Sequence, residues 1–475
     1  MGGRVQAEQG SDAVRGNQAP LHGQQSKPFV LLYCGLAVIP VLLAVIHAIM
    51  QPAGGSQHFI YLADGWLHGT LYLHDVPADT GDYTLHDGHW YVAFPPLPAV
   101  LLLPLVAIFH LSDQDAVSLI FSVAIGLLNS WLMMGVLKRF PHSRSTGLSA
   151  EGVAWYTALF GLGTEHLYAM LQGNVWFIAH IVATTFLLLY TGETLGKRRP
   201  FVAGIYLGLA SLSRITVLFT FPFFVLLTIS AHFADRKERG GQLLPWQKLL
   251  RFFAVLGIFV VVMLMYNLAR FGSLFDFGYN TMNVNSFLRS NLHTYGQFSP
   301  HFIPTNLLYM LLDPPRLLSQ MPFLSFSPLG TGIFWTMPAL VFVFLAFRNR
   351  EDSRLAMVLL ASCLPTTFFL LLYFNTGWYQ FGYRFVLDFL PFALLLAILG
   401  MRVVPGRSEK VLIVLSIAIN IWGCLVFTFF APPKLHNDIE KAVGLRRIDL
   451  ALERSGSRVL LYHQAVLRNG RTVFE

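Results

Sequence analysis

Charge is what this sequence has least of. Only 12% of its 475 residues are Asp, Glu, Lys or Arg, where a soluble chain carries about a quarter. With 55% hydrophobic residues and a mean hydropathy of +0.56, a soluble multidomain protein is excluded. Cysteine is nearly absent too. Cys34, Cys363 and Cys424 all lie inside apolar runs, which excludes a disulfide framework or a cysteine metal motif and reads them as small core hydrophobes. Lysine and arginine are missing altogether from Gln51–Gln114, which instead holds Asp64, Asp75, Asp79, Asp82, Asp87 and Asp113 with six histidines. Neither tandem nor inverted repeats are visible.

What is present is long apolar blocks, such as Phe252–Tyr266, Leu355–Phe374 and Val411–Phe430. Alone or with their flanks they are long enough to cross a bilayer core, which takes a helix of about 20 residues. Spans are expected near 28–50, 115–137, 152–170, 175–192, 200–213, 215–231, 252–270, 331–347, 355–374, 384–400 and 411–430. The formal charge of +8 does not point to nucleic acid, because the basic residues cluster in alternate gaps between apolar blocks. These gaps hold Lys138, Arg139 and Arg144; Lys197 to Arg199; Arg236 to Arg251; Arg348, Arg350 and Arg354; and Arg402, Arg407 and Lys410. Positive charge is retained in the cytoplasm, so those gaps face inward. The block Pro95–His110 is short and holds Pro95, Pro96, Pro98 and Pro104; it reads as a re-entrant or interfacial helix. The expected fold is an all-α polytopic membrane protein with about 11 transmembrane helices. It comprises a disordered cytoplasmic tail over 1–27, a membrane domain over 28–430 and a small extracytoplasmic segment over 431–475. Outer loops fall at 51–114, carrying juxtamembrane helices, and at 271–330. The apolar block after the tail is expected to be a first span rather than a cleaved signal peptide.

Ionisable groups inside spans are costly and default to function. On this topology Glu165, His166, His180, Arg214, Asn267, Arg270, Arg384 and Asp388 share the outer side, as though lining one outward-facing cavity. Arg384 and Asp388, four apart, are expected on one helix face, where they either serve the site or pair with each other. Snorkelling at the membrane edge is an equal reading for Arg270. In the first outer loop, His58–Gly69 has helical spacing that aligns Tyr61, Asp64 and His68, and an aspartate beside a histidine suits a general base. In Tyr83–Val92, the Asp87–Gly88 pair between β-prone runs predicts a hairpin. His86 and His89 flank its turn, but no third ligand stands at a recognised spacing, so neither metal nor cofactor is expected.

The layout of one N-terminal span, an acidic outer loop with an amphipathic helix, and a Pro-rich juxtamembrane helix (Phe94-Pro-Pro-Leu-Pro) resembles the C-type (GT-C fold) membrane glycosyltransferases. That group includes protein O-mannosyltransferases and bacterial aminoarabinose transferases. Leu207–Pro222 is similar to paired helices of the group that carry a basic residue at Arg214's place, and residues 379–391 are similar to a segment of its uncharacterised bacterial members. The resemblance runs from about 28 to 430. It implies a sugar donor on a polyprenyl phosphate, a glycan, lipid or protein acceptor, an inverting attack at the outer face of the cell membrane, and an acidic base in the first outer loop. The family acid usually follows the first span closely. Here Gly55-Ser56-Gln57-His58 supplies none, and Asp64 is the first acid on the surface helix, with Glu165 as the alternative base. Arg214 and Arg384 are expected on the donor phosphate. Tyr61, His68, His180, Asn267, Arg270, Tyr383 and Asp388 are expected around the substrate, with membrane lipids as neighbours. The competing readings are a transporter or flippase and a non-catalytic subunit that binds a lipid-linked glycan.

Overall fold

The computed structural model describes residues 27–50, 56–142, 147–239, 244–377 and 379–429; the terminal segments expected over 1–27 and 431–475 lie outside them, except Lys27, which opens the first helix. The chain opens with α1 (Lys27–Met50) and the short helix α2 (His58–Leu67). The hairpin β1 (Tyr83–His86) and β2 (His89–Val92) and the Pro-led α3 (Leu97–Phe109) follow. Then come α4 (Gln114–Leu137), α5 (Ala150–Leu162), α6 (Glu165–Gln172), α7 (Val175–Leu195), α8 (Pro200–Ser211), α9 (Pro222–Arg239) and α10 (Trp246–Phe271). The second loop region carries α11 (Ser286–Tyr295), α12 (Ile303–Leu307), the two-residue strands β3 (Arg316–Leu317) and β4 (Leu324–Ser325), and β5 (Leu329–Thr331). The chain finishes with α13 (Ile333–Thr336), α14 (Ser353–Leu371), β6 (Gln380–Gly382), α15 (Leu390–Gly400) and α16 (Arg407–Phe429).

Seven helical segments among the described residues are long and apolar enough to cross a membrane: Leu32–Met50, α4, α7, Ile215–Ala234, α10, α14 and α16. They coincide with seven of the expected spans. The other four expected spans are shorter or broken. Residues 152–170 split into α5 and α6 around Gly163–Thr164. There the Thr164 side chain caps α6, accepting from the His166 amide at 3.3 Å and donating to the Phe160 carbonyl at 2.7 Å. Residues 200–213 form the 12-residue α8. The block 331–347 is not one α-helix: α13 stops at Thr336 and a 3-10 segment runs over Pro338–Leu345. A proline drives the residue before it out of the α region, and Met337 sits at φ −130°, ψ 67°. The last, 384–400, begins as a 3-10 turn over Arg384–Asp388 before α15.

The core is built around α7, most of which is buried, with Tyr156, Phe160, Tyr168, Phe177, Tyr190, Phe223 and Phe252 filling the spaces between helices. Two non-helical strands, β5 and β6, pair in parallel through Leu329–Gln380 and Thr331–Gly382. Such backbone survives inside a membrane protein only when its polar groups are satisfied by protein. Gln380 does part of this, donating from Nε2 to the carbonyls of Leu329 (2.8 Å) and Thr376 (3.0 Å).

Candidate functional site

Two of the basic gaps meet at one end of the bundle. Lys138, Arg139, Lys197 and Arg199 border one recess of about 520 Å³, and Lys410 pairs with Glu151. The opposite end collects the start of α4 and α7, the ends of α8, α10 and α14, and the first loop. Gln57 ties the first loop to α4 and to the turn before α7, donating to Asp115 (2.7 Å) and to the Gly173 carbonyl (3.1 Å) and accepting from Ser118 (2.5 Å).

At this second end, two chain segments converge on Asp388. His180 Nδ1 lies 2.8 Å from Asp388 Oδ1, Arg214 donates to both carboxylate oxygens (Nε to Oδ1 at 3.2 Å, Nη2 to Oδ2 at 2.9 Å), and the Thr216 hydroxyl donates to Oδ2. His180 and Asp388 are fully buried, while a fifth of the Arg214 side chain remains exposed. The expected Arg384–Asp388 helix-face pair is not formed. Both residues lie in a 3-10 turn, which advances three residues per turn, so positions four apart point about a third of a turn from each other. Asp388 is thereby turned to Arg214 and His180. Arg384 is buried, with its guanidinium 5.1 Å from the Phe177 ring and 5.2 Å from that of Phe385. Phe385 lies between the two cations, being 5.3 Å from Arg214 as well. Tyr279 and Tyr373, which hydrogen-bond each other, stand in Arg214's field.

A first-loop carboxylate within the field of Arg384 is Asp82, a residue sequence reasoning passed over. It is half-buried, and burial pushes its carboxyl up to about 6, against the opposing pull of the Trp176 hydrogen bond and the Arg384 charge. Trp176 Nε1 donates to Asp82 Oδ2 at 2.9 Å. The Asp82 backbone is left-handed, with φ 61°, which costs most side chains but suits an aspartate. His58 fixes both neighbours: its Nε2 is 3.0 Å from the Gly81 carbonyl and its ring stacks 3.7 Å over Tyr83. Burial holds the His58 imidazole down at about 4, so it remains neutral. The only sequence clue to Asp82 was an aspartate opening a β-hairpin; its partners Trp176 and Arg384 are remote in sequence.

The remaining expected residues fall into separate groups. Asp64 is buried on α2 beside His68 and His74. Tyr61, whose hydroxyl accepts from Gln114 at 3.3 Å, packs edge-on to Tyr83. Asn267 and Arg270 serve the frame. Arg270 donates to the Val92 carbonyl and to Asn267 Oδ1 (2.9 Å), and it lies 3.8 Å from the Tyr266 ring. This ties the end of α10 to β2. The expected hairpin is formed, with its Asp87–Gly88 turn at positive φ (46° and 77°). Glu165 lies deep in the bundle where α6 begins, against Gly382, where no Cβ would fit. Tyr383 is fully buried beside Phe385.

No protein-family model and no curated protein matches this chain. Among solved structures, it is similar to the apo oligosaccharyltransferase of Archaeoglobus fulgidus. Identity is 15%, the TM-score is 0.46, and the match covers 88% of this chain and 58% of that one. It is also similar to the archaeal oligosaccharyltransferase AglB from Archaeoglobus fulgidus in complex with an inhibitory peptide and a dolichol-phosphate, at 13% identity, a TM-score of 0.47 and coverages of 89% and 59%. A third is the S. cerevisiae protein O-mannosyltransferase Pmt1–Pmt2 complex bound to the sugar donor, at 17% identity, a TM-score of 0.34 and coverages of 63% and 41%. The chain thus spans about three-fifths of the length of the archaeal enzymes.

Proposed function

We propose that the protein is a membrane glycosyltransferase that moves a sugar from a polyprenyl-phosphate donor to an acceptor hydroxyl at the outer face of the membrane, with inversion. The observation that carries this reading is the Asp82 carboxylate lying in the electrostatic field of Arg384, whose own neighbour is Arg214. Arg214 and Arg384 bring two guanidinium groups to one end of the bundle, a pairing suited to a donor phosphodiester. Asp82 stands on the loop side of that pair. Its carboxyl, at about 6, is mostly ionised near neutral pH and still basic enough to take a proton.

In the proposed step Asp82 accepts the proton of the acceptor hydroxyl as its oxygen bonds to the anomeric carbon. The bond from that carbon to the phosphate oxygen breaks, and its electron pair leaves with the polyprenyl phosphate, whose negative charge Arg384 and Arg214 hold. Asp388 and His180 keep Arg214 in place. The aromatic wall of Trp176, Phe385, Tyr279 and Tyr373 fits stacking on sugar C–H faces. Asp82 takes the base role expected of Asp64 or Glu165, because Asp64 is buried beside His68 and His74 and Glu165 is sealed in the bundle.

The test is donor turnover by purified protein over a panel of radiolabelled polyprenyl-phosphate sugars, comparing wild type with Asp82→Asn, Asp64→Asn and Arg384→Ala. Removing a general base costs about 10²–10⁴-fold, and removing a charge-stabilising donor about 10²–10³-fold. Asp82→Asn and Arg384→Ala are expected to lose activity within those ranges while Asp64→Asn keeps most of it. Equal turnover in wild type and Asp82→Asn removes Asp82 from the mechanism. Saturable donor binding without turnover moves the protein to the carrier or assembly-subunit reading.

A further inference from the structure

The first loop holds a second cluster that the proposed transfer does not use. We propose that Asp64, His68 and His74 form a site for one divalent transition-metal ion of the zinc class. A carboxylate oxygen of Asp64 and one ring nitrogen from each histidine all lie within 4.8 Å of one another. Asp64 is 3% exposed, and its Oδ2 has no hydrogen-bond partner. Leaving a buried carboxylate oxygen without a partner is costly. Asp64 Oδ2 lies 3.5 Å from His68 Nδ1. That nitrogen lies 2.9 Å from the Asp64 main-chain carbonyl, which can only accept, so Nδ1 carries the proton and Nε2 keeps its lone pair. A histidine whose other nitrogen donates to a main-chain carbonyl is the usual arrangement of a metal ligand.

The two rings stack at 3.9 Å with planes 9° apart, and both side chains are about half exposed, so each can turn toward a shared ion without disturbing the core. Tetrahedral zinc at about 2.0–2.1 Å from its ligands sets neighbouring ligand atoms about 3.4 Å apart, a closure that side-chain rotation supplies. Two imidazoles and one carboxylate favour zinc and its neighbours over magnesium or calcium, which take oxygen ligands. Three protein ligands leave a fourth position for water. The ion would clip the end of α2 to the segment that runs from His74 to Asp82, and it takes no part in the transfer step. The expectation of no metal rested on ligand spacing in sequence; here the third ligand comes from across a turn.

The experiment uses the full chain purified in detergent without a polyhistidine tag and stripped with a chelator. Zinc affinity is measured by competition with a chromophoric chelator, and cobalt(II) is titrated for the visible absorption of a low-coordinate site. Wild type is expected to bind one zinc per chain, with His68→Ala and His74→Ala each weakening it by about a hundredfold or more. The hairpin variant His86→Ala is expected to bind as wild type does. Because both ligand histidines are exposed, their variants should match wild type on gel filtration and in thermal unfolding without metal. Unchanged zinc affinity in His68→Ala and His74→Ala, or no saturable uptake by wild type, overturns the site. Both readouts are independent of glycosyl transfer.

Discussion

At the scale of single residues, the bundle end separates groups that build the site from groups that act in it. Asp388 is a builder. Removing one partner of a buried ion pair costs about 3–5 kcal/mol, because the other charge stays behind without compensation. Asp388→Ala is therefore expected to lower the thermal midpoint in detergent sharply, whereas Asp82→Asn, half-buried and held by one indole, should unfold near the wild-type temperature. The pH dependence of Asp82 has a definite sign. A general base works only when ionised, and its carboxyl is raised to about 6. Turnover per free enzyme should rise about tenfold per pH unit below that value and level off above it. A profile flat from pH 5 to 8 would exclude Asp82 as the base. His58 is a positioning residue, touching the residues on either side of Asp82. His58→Ala should lower kcat with little change in donor KM, and the acid limb should move down in pH as water reaches the carboxyl. A purely structural His58 would leave that limb in place.

At the scale of elements, the sequence was most legible where pattern and local chemistry agree. Seven apolar blocks became long helices, and Asp87–Gly88 made the hairpin because both residues tolerate the positive φ that its turn requires. The Pro-rich block became a short helix led by Pro98 near its start. Legibility failed where a proline or a tertiary partner overrode the local pattern. Composition alone makes 331–347 a span, yet Pro338 divides it. Spacing alone aligns Arg384 with Asp388, yet the 3-10 turn parts them. His180, Arg214 and Asp388, three of the residues grouped by depth, meet in one cluster, but Asp82 was not singled out, since nothing near it in sequence announces Trp176 or Arg384. The β5–β6 pair was invisible for the same reason, and it offers a test. Gln380 satisfies two main-chain carbonyls in the core. Gln380→Leu strands both, at about 1–3 kcal/mol for an unsatisfied buried group, and should speed amide exchange over 329–331 and 380–382. Unchanged exchange there would mean that the strands hold without the side chain.

At the scale of the whole molecule, the two ends of the bundle differ in charge, and this asymmetry predicts its orientation. One end gathers Lys138, Arg139, Lys197 and Arg199 around a single recess. The other carries the first loop, from which Lys and Arg are absent over Gln51–Gln114. Short basic loops stay in the cytoplasm, so the first loop, Asp82 and the Asp388 cluster should face outward, where a lipid-linked donor and an external acceptor can meet. Two exposed positions report on this directly. Val76 lies in the first loop, half exposed, and Lys197 is exposed at the opposite end. The native thiols give little background: Cys363 and Cys424 are buried, and Cys34, exposed along the apolar helix α1, can be replaced by alanine. With a membrane-impermeant maleimide on intact cells, Val76→Cys should label at once and Lys197→Cys only after permeabilisation. The reverse pattern would place the Asp82–Arg384 pair on the cytoplasmic side. The chemistry of a base facing a phosphate clamp would survive that result, but the donor would then have to be presented from the cytoplasmic leaflet, and the outward acceptor would be excluded.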